Sequence, residues 1–180
     1  ANPYNPPYYK ELFENYGFQN YFNQNTYVWR IYDDDINQLV HERAKRVMST
    51  PGYSFAHIDI KDLESVAENF RIIYNKAWSL FTGVKPMPKE EAQNIMKMLR
   101  PIVDPNIIFF AYFNNEPIGF FIMVPDLNRL IGKFNGKLNL WNKIRLMWDL
   151  KVRKKCDRIF GIIFAVTPEF QGIRFYCRNR

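Results

Sequence analysis

The sequence predicts a mixed α/β domain of the α+β kind, a mostly antiparallel central sheet with flanking helices. Three observations carry this. Val66, Phe70, Ile73, Ala77 and Leu80 recur at three- and four-residue steps, the pattern of a helix with one buried stripe. Apolar runs at Ile107–Phe113 and Ile118–Val124 flank the turn residues Asn114-Asn115-Glu116-Pro117, the pattern of a hairpin. A further apolar run, Arg158–Val166, passes directly into Thr167-Pro168-Glu169-Phe170-Gln171-Gly172, a strand leaving into a turn.

Taken in order, residues 1–9 are rich in Pro, Tyr and Asn and read as an extended lead-in. Tyr9–Tyr16 suits a short helix stopped by Gly17. Aromatic and polar residues alternate from Phe18 to Tyr32, which predicts a strand. Asp33-Asp34-Asp35 offers capping oxygens to a helix reaching about Met48, and Thr50-Pro51-Gly52 ends it. Phe55, Ile58 and Ile60 mark a short strand, and Asp62 caps the helix that follows. Gly83–Pro88 is a loop, with Pro88 in the first turn of a second helix through Leu99. After the hairpin, Pro125 stops the chain's extended course and 126–138 read as loop and short helix. Leu140–Lys155 is an amphipathic helix whose cations, Lys151 to Lys155, suit its C-terminal dipole.

Composition narrows the class. At 180 residues the length fits one domain, and 47% hydrophobic with 24% charged residues excludes a disordered chain. No apolar run reaches the 18 or so residues that cross a bilayer, and the Pro-rich start is unlike a secretory leader. Cys156 and Cys177 are too few for a disulfide framework, so a reducing, cytoplasmic setting is expected. The net charge of +7 suits an anionic partner, but it serves solubility equally well.

Metal chemistry finds no ligand set. His41-Glu42 begins a zinc-helix pattern, but the fifth position is Lys45. His57 and the cysteines lack ligand spacing, so no metal is expected. A G-x-S-x-G elbow is absent too. The turn after Val166 is more informative, because a buried strand that ends in a Gly-containing turn can present backbone N–H groups to a phosphate. It also reads as a plain surface turn.

Asn115-Glu116-Pro117-Ile118-Gly119-Phe120, followed by Phe164-Ala165-Val166-Thr167-Pro168-Glu169-Phe170-Gln171-Gly172, resembles the GNAT acyltransferase superfamily. Tyr4-Asn5-Pro6-Pro7-Tyr8-Tyr9, Ile73-Tyr74-Asn75-Lys76-Ala77-Trp78, Lys85-Pro86-Met87 and Pro125-Asp126-Leu127-Asn128 are similar to patches of a bacterial GNAT-like group. Together they run in order along nearly the whole chain.

The resemblance implies a GNAT-like N-acyltransferase using acetyl-CoA or another acyl-CoA on a small-molecule or peptide amine. It implies cofactor contacts from Phe164, Ala165, Val166, Thr167, Gln171 and Gly172, through strand backbone and turn amides. Trp78, Phe81 and Met87 become candidates for acceptor contact, and they read equally as core residues. It assigns no general base.

The sequence also departs from the family. The family turn, Gln/Arg-x-x-Gly-x-Gly/Ala, counted from Gln171, meets Arg174 and Tyr176 where small residues are expected. The chain stops at Arg180, before the elements that would cover the last strand. The expected division is a lead-in over 1–32, which can be the end of a preceding domain, and a GNAT-like domain over 33–180 lacking its C-terminal elements. A second copy completing the sheet is one remedy. Two rival functions stay open: a non-catalytic member of the fold kept for assembly, and a basic module that binds an anionic surface through Trp141–Lys155. Within the second, nucleic acid is not the favoured partner.

Overall fold

The computed structural model describes residues 5–23, 25–28, 38–79 and 81–171. Leu80, Gly172, Arg174, Tyr176, Cys177 and the Asp33–Asp35 cap lie outside them. The chain divides into two compact units, Ala1–His41 and Glu42–Arg180.

In the first unit, α1 (Tyr8–Asn15) ends at Gly17, whose φ is 102°, and the Phe18 N–H donates to Phe13 O at 3.0 Å. The described part of the alternating segment beyond it shows no strand. Residues 18–23 and 25–28 form no regular element, with Tyr21 and Tyr27 exposed. Alternation supplies a two-sided ribbon but no hydrogen-bonding neighbour, and a strand needs one. Residues 24 and 29–32 of that prediction lie outside the described residues. The next helix, α2, is Gln38–Ser49.

The second unit holds a four-stranded sheet. Its strands are β1 (Tyr53–His57), β2 (Ile108–Phe113), β3 (Glu116–Pro125) and β4 (Ile159–Val166), in sheet order β1-β2-β3-β4 with every neighbour antiparallel. Two helices separate β1 from β2: α3 (Leu63–Trp78) and α4 (Lys89–Leu99). Asp62 caps α3, its carboxylate accepting from the Ser65 N–H at 3.1 Å.

The hairpin turn is tighter than the sequence predicts. Asn114 and Asn115 alone form it, with φ of 50° and 66°, and β3 already begins at Glu116. Asparagine tolerates this left-handed backbone, which matches the twist of the flanking strands. Pro117 lacks a ladder donor, and a register shift at Ala111/Tyr112 opposite it absorbs the mismatch. Gly52 lies against this turn; its C=O accepts from the Asn114 N–H at 2.8 Å, and a Cβ there would meet the Phe113 ring at 2.9 Å.

Strand alternation gives the sheet two unlike faces. Phe110, Phe120 and Ala165 lie in one cross-strand row and are buried with Val66, Phe70 and Ile73 of α3. The Phe70 and Phe120 rings sit 5.0 Å apart. The opposite row is His57, Phe109, Phe121 and Phe164, and Phe164 is 73% exposed.

After β3 come α5 (Asn128–Ile131) and α6 (Leu140–Met147). The predicted helix Leu140–Lys155 does not continue as one α-helix. It widens into a π turn over Trp148–Val152, and Lys154 lies beyond in left-handed backbone. The π turn coincides with a buried charge. Asp149 is buried and faces Arg153 at 3.5 Å and Lys155 at 3.8 Å.

Because Ile73 is fully buried where α3 meets the sheet, Ile73→Ala is expected to lower unfolding free energy by about 3 kcal/mol in urea titration. Phe164→Ser, on the open face, should change it by less than about 0.5 kcal/mol.

Candidate functional site at the edge of the fourth strand

The fourth strand is an edge strand among the described residues. Its register with β3 sets which backbone groups remain outside the ladder. The Thr167 N–H donates to Ile118 O at 2.8 Å, and the pairs Phe120↔Ala165 and Ile122↔Ile163 follow in step. Antiparallel geometry then turns Thr167, Ala165 and Ile163 toward β3 and leaves Phe164 and Val166 directed outward. A Cβ at Gly119 would come within 3.0 Å of Ala165 O, so glycine allows the strands this approach. The open edge therefore carries the Phe164 N–H and C=O and the Val166 N–H. The Val166 C=O is taken, accepting from Gln171 Nε2 at 2.5 Å.

The turn after β4 is compact. Pro168–Phe170 forms one 3-10 turn, in which the Phe170 N–H donates to Thr167 O (2.9 Å) and the Gln171 N–H to Pro168 O (3.2 Å). Thr167 is almost wholly buried. Phe170 anchors the turn to the hairpin end of the sheet, 5.3 Å from the Phe113 ring and 6.2 Å from Tyr53. The Glu169 carboxyl is held below its usual range by its own backbone N–H, then by the Thr167 hydroxyl, with Lys76 of α3 adding attraction. At neutral pH it is an anion.

The site residues expected from sequence fall into separate places. Ala165 belongs to the core and Phe164 to the open face. Trp78 is half-buried, its ring stacked on Tyr74 at 4.7 Å. Met87 is buried in the core, and Asn75 clamps its backbone, accepting from its N–H at 2.7 Å and donating to its C=O at 3.1 Å. Phe81 is 61% exposed. Sequence reasoning did not single out Asn75 as the clamp, since a mid-helix asparagine gives no signal of reaching twelve residues ahead. No group of three or more His, Cys, Asp or Glu side chains suited to a metal occurs among the described residues. No helix among them is long and apolar enough to cross a membrane.

The chain matches no family model. It is 28% identical over 138 residues to "Bacterial ceramide synthase" of Caulobacter vibrioides, a match covering 76% of this chain and 35% of that protein. It is 29% identical over 82 residues to "Protein YghO" of Escherichia coli, covering 46% of this chain and 21% of that protein. The chain thus spans well under half the length of both relatives. Among solved structures it is similar to a mutant agmatine N-acetyltransferase in its apo form, at 10% identity and a TM-score of 0.33 over 68% of this chain and 63% of that one. A likeness at that level fixes neither fold nor function.

Asn75→Ala would strand the Met87 N–H and C=O in a largely buried setting. The expected cost is about 1–3 kcal/mol by denaturant titration, with Asn75→Asp losing only the donor half.

Proposed function

We propose that this chain is the part of an acyl-CoA-dependent N-acyltransferase that lays its cofactor along the open edge of β4. The observation that carries the reading is the outward Phe164 and Val166 backbone beside the Thr167–Gln171 turn. An extended amide chain such as pantetheine can pair with such an edge as an added strand would. Phe164, Ala165, Val166, Thr167 and Gln171 are the described residues of this reading; Gly172, its remaining member, lies outside the described residues. Bound acyl-CoA would supply an acyl group activated as a thioester.

The fit is uneven along the site. The strand edge offers free donors and an acceptor. In the turn, the Thr167, Phe170 and Gln171 N–H groups already serve internal bonds, and Glu169 places a negative charge where a pyrophosphate would approach. The chain's task in catalysis is alignment: the edge fixes the acyl donor, and the end of α3 with the loop after it borders the acceptor amine. Trp78 and Phe81 suit acceptor contact by their partial exposure, while Met87 acts from within the core. The ceramide synthase relative favours an acceptor whose amine is attached to a lipid, ceramide being the amide of a long-chain amino alcohol.

Melting the chain with acetyl-CoA and with a long-chain acyl-CoA tests this. At a hundredfold excess over Kd the ligand stabilises by about 2.7 kcal/mol, a rise in midpoint of about 5–10 °C. Val166→Pro removes an outward N–H that an edge strand can spare, so it should still melt cooperatively, within a few degrees of the native midpoint, and lose the ligand's effect. Glu169→Gln should tighten acyl-CoA binding severalfold. Equal shifts in native and Val166→Pro chains would overturn the edge assignment.

A further inference from the structure

Helix α6 and its π turn carry apolar side chains on the side away from the core. Leu146 points inward and is buried with Leu130 and Phe134. Leu140, Trp141, Ile144, Trp148 and Val152 are exposed instead, Trp141 at 78% and Trp148 at 57%. At about 100° per residue, Leu140, Trp141, Ile144 and Trp148 share one arc of the helix and Leu146 lies across from them. Large exposed apolar groups gathered in one stripe mark an interaction surface.

The same segment concentrates the chain's positive charge. Residues 137–158 hold eight Lys and Arg against two Asp, a net +6 of the chain's +7. Both carboxylates are already engaged: Asp149 with Arg153 and Lys155, and Asp157 with Arg129 at 2.9 Å. Lys143, Arg145, Lys151, Lys154 and Arg158 have no carboxylate within ion-pair distance among the described residues. Three of them, Lys151, Lys154 and Arg158, line a groove of about 560 Å³ whose apolar wall includes Ile60, Ile107 and Ile159. The one carboxylate among its lining residues, Asp104, accepts from the Asn106 backbone N–H at 3.0 Å and side-chain amide at 2.9 Å. Lys154 reaches it from left-handed backbone at φ 47°, a conformation costly for a lysine. The groove lies at the end of the sheet opposite the Thr167–Gln171 turn, since β4 starts beside Arg158 and ends beside Thr167.

We propose that this face docks on an anionic lipid bilayer. The Trp141–Trp148 stripe enters the boundary between headgroups and acyl chains, and the unpaired cations with their groove take lipid phosphates. Tryptophans and aliphatics at the centre with cations around them suit a bilayer interface. A single-stranded nucleic acid calls for cations tracking a groove with rings interleaved along it. Docking of this kind stands whether or not the chain transfers acyl groups.

Sedimentation of the full chain with vesicles, read together with tryptophan emission, tests it. The probes are vesicles of phosphatidylcholine alone, vesicles of phosphatidylcholine with phosphatidylglycerol, and polyuridylate. Saturable binding to the phosphatidylglycerol vesicles is expected, about tenfold or more tighter than to phosphatidylcholine, with a blue shift and a loss of affinity in salt. Trp141→Gln with Trp148→Gln should weaken partitioning about tenfold and remove the blue shift. Lys151→Gln, Lys154→Gly and Arg158→Gln together should erase the preference for phosphatidylglycerol. Lys154→Gly suits the left-handed backbone. Ile144→Gln provides a second, charge-neutral break in the stripe should the double tryptophan variant melt early. Equal binding to both vesicles, binding unchanged by the variants, binding of polyuridylate alone, or no vesicle binding would each overturn the proposal.

Discussion

The second unit depends on one packing contact, the face of α3 that sets Phe70 and Ile73 against Phe110, Phe120 and Ala165. Because a strand's side chains alternate, burying that row commits its neighbour, His57, Phe109, Phe121 and Phe164, to the other face. A one-residue slip of any strand would reverse both faces, so the register is strongly specified. The outward direction of the Phe164 and Val166 backbone follows from the same register, which ties the candidate site directly to the core.

That geometry explains both the promise and the weakness of the site. An exposed edge with free backbone groups is a template for pairing, whether with a ligand, another strand or another copy. Gln171 closes one of its acceptors and Phe170 pins the turn to the hairpin, so the edge has a definite end. The turn itself is self-satisfied and carries Glu169, which makes it a poor phosphate cradle over its described part. On the proposed reading, the strand edge suits an extended amide chain better than the turn suits a phosphate.

Much of this was legible in the sequence. The stripe from Val66 to Ala77 announced α3, Asp62 its cap, and the two apolar runs around Asn114-Asn115 the hairpin. These features are local, and periodicity and turn chemistry report local structure. Residues 18–23 and 25–28 misled because alternation cannot reveal whether a partner strand exists. The break in the helix after Met147 was hidden because a buried Asp149 looks, in sequence, like any polar residue on a solvated face. The positions of the candidate residues were legible unevenly for a related reason. The strand and turn positions of Val166 and Thr167 follow from local pattern, whereas the Asn75 clamp on the Met87 backbone joins residues twelve apart.

Amide hydrogen exchange resolved by residue, with and without acyl-CoA, tests the edge assignment most directly. The Phe164 and Val166 amides should exchange fast in the free chain and become protected on adding the ligand, while Ala165 and Thr167 stay protected throughout. Fast exchange at Phe164 and Val166 in saturating acyl-CoA, with protection arising elsewhere, would contradict the account.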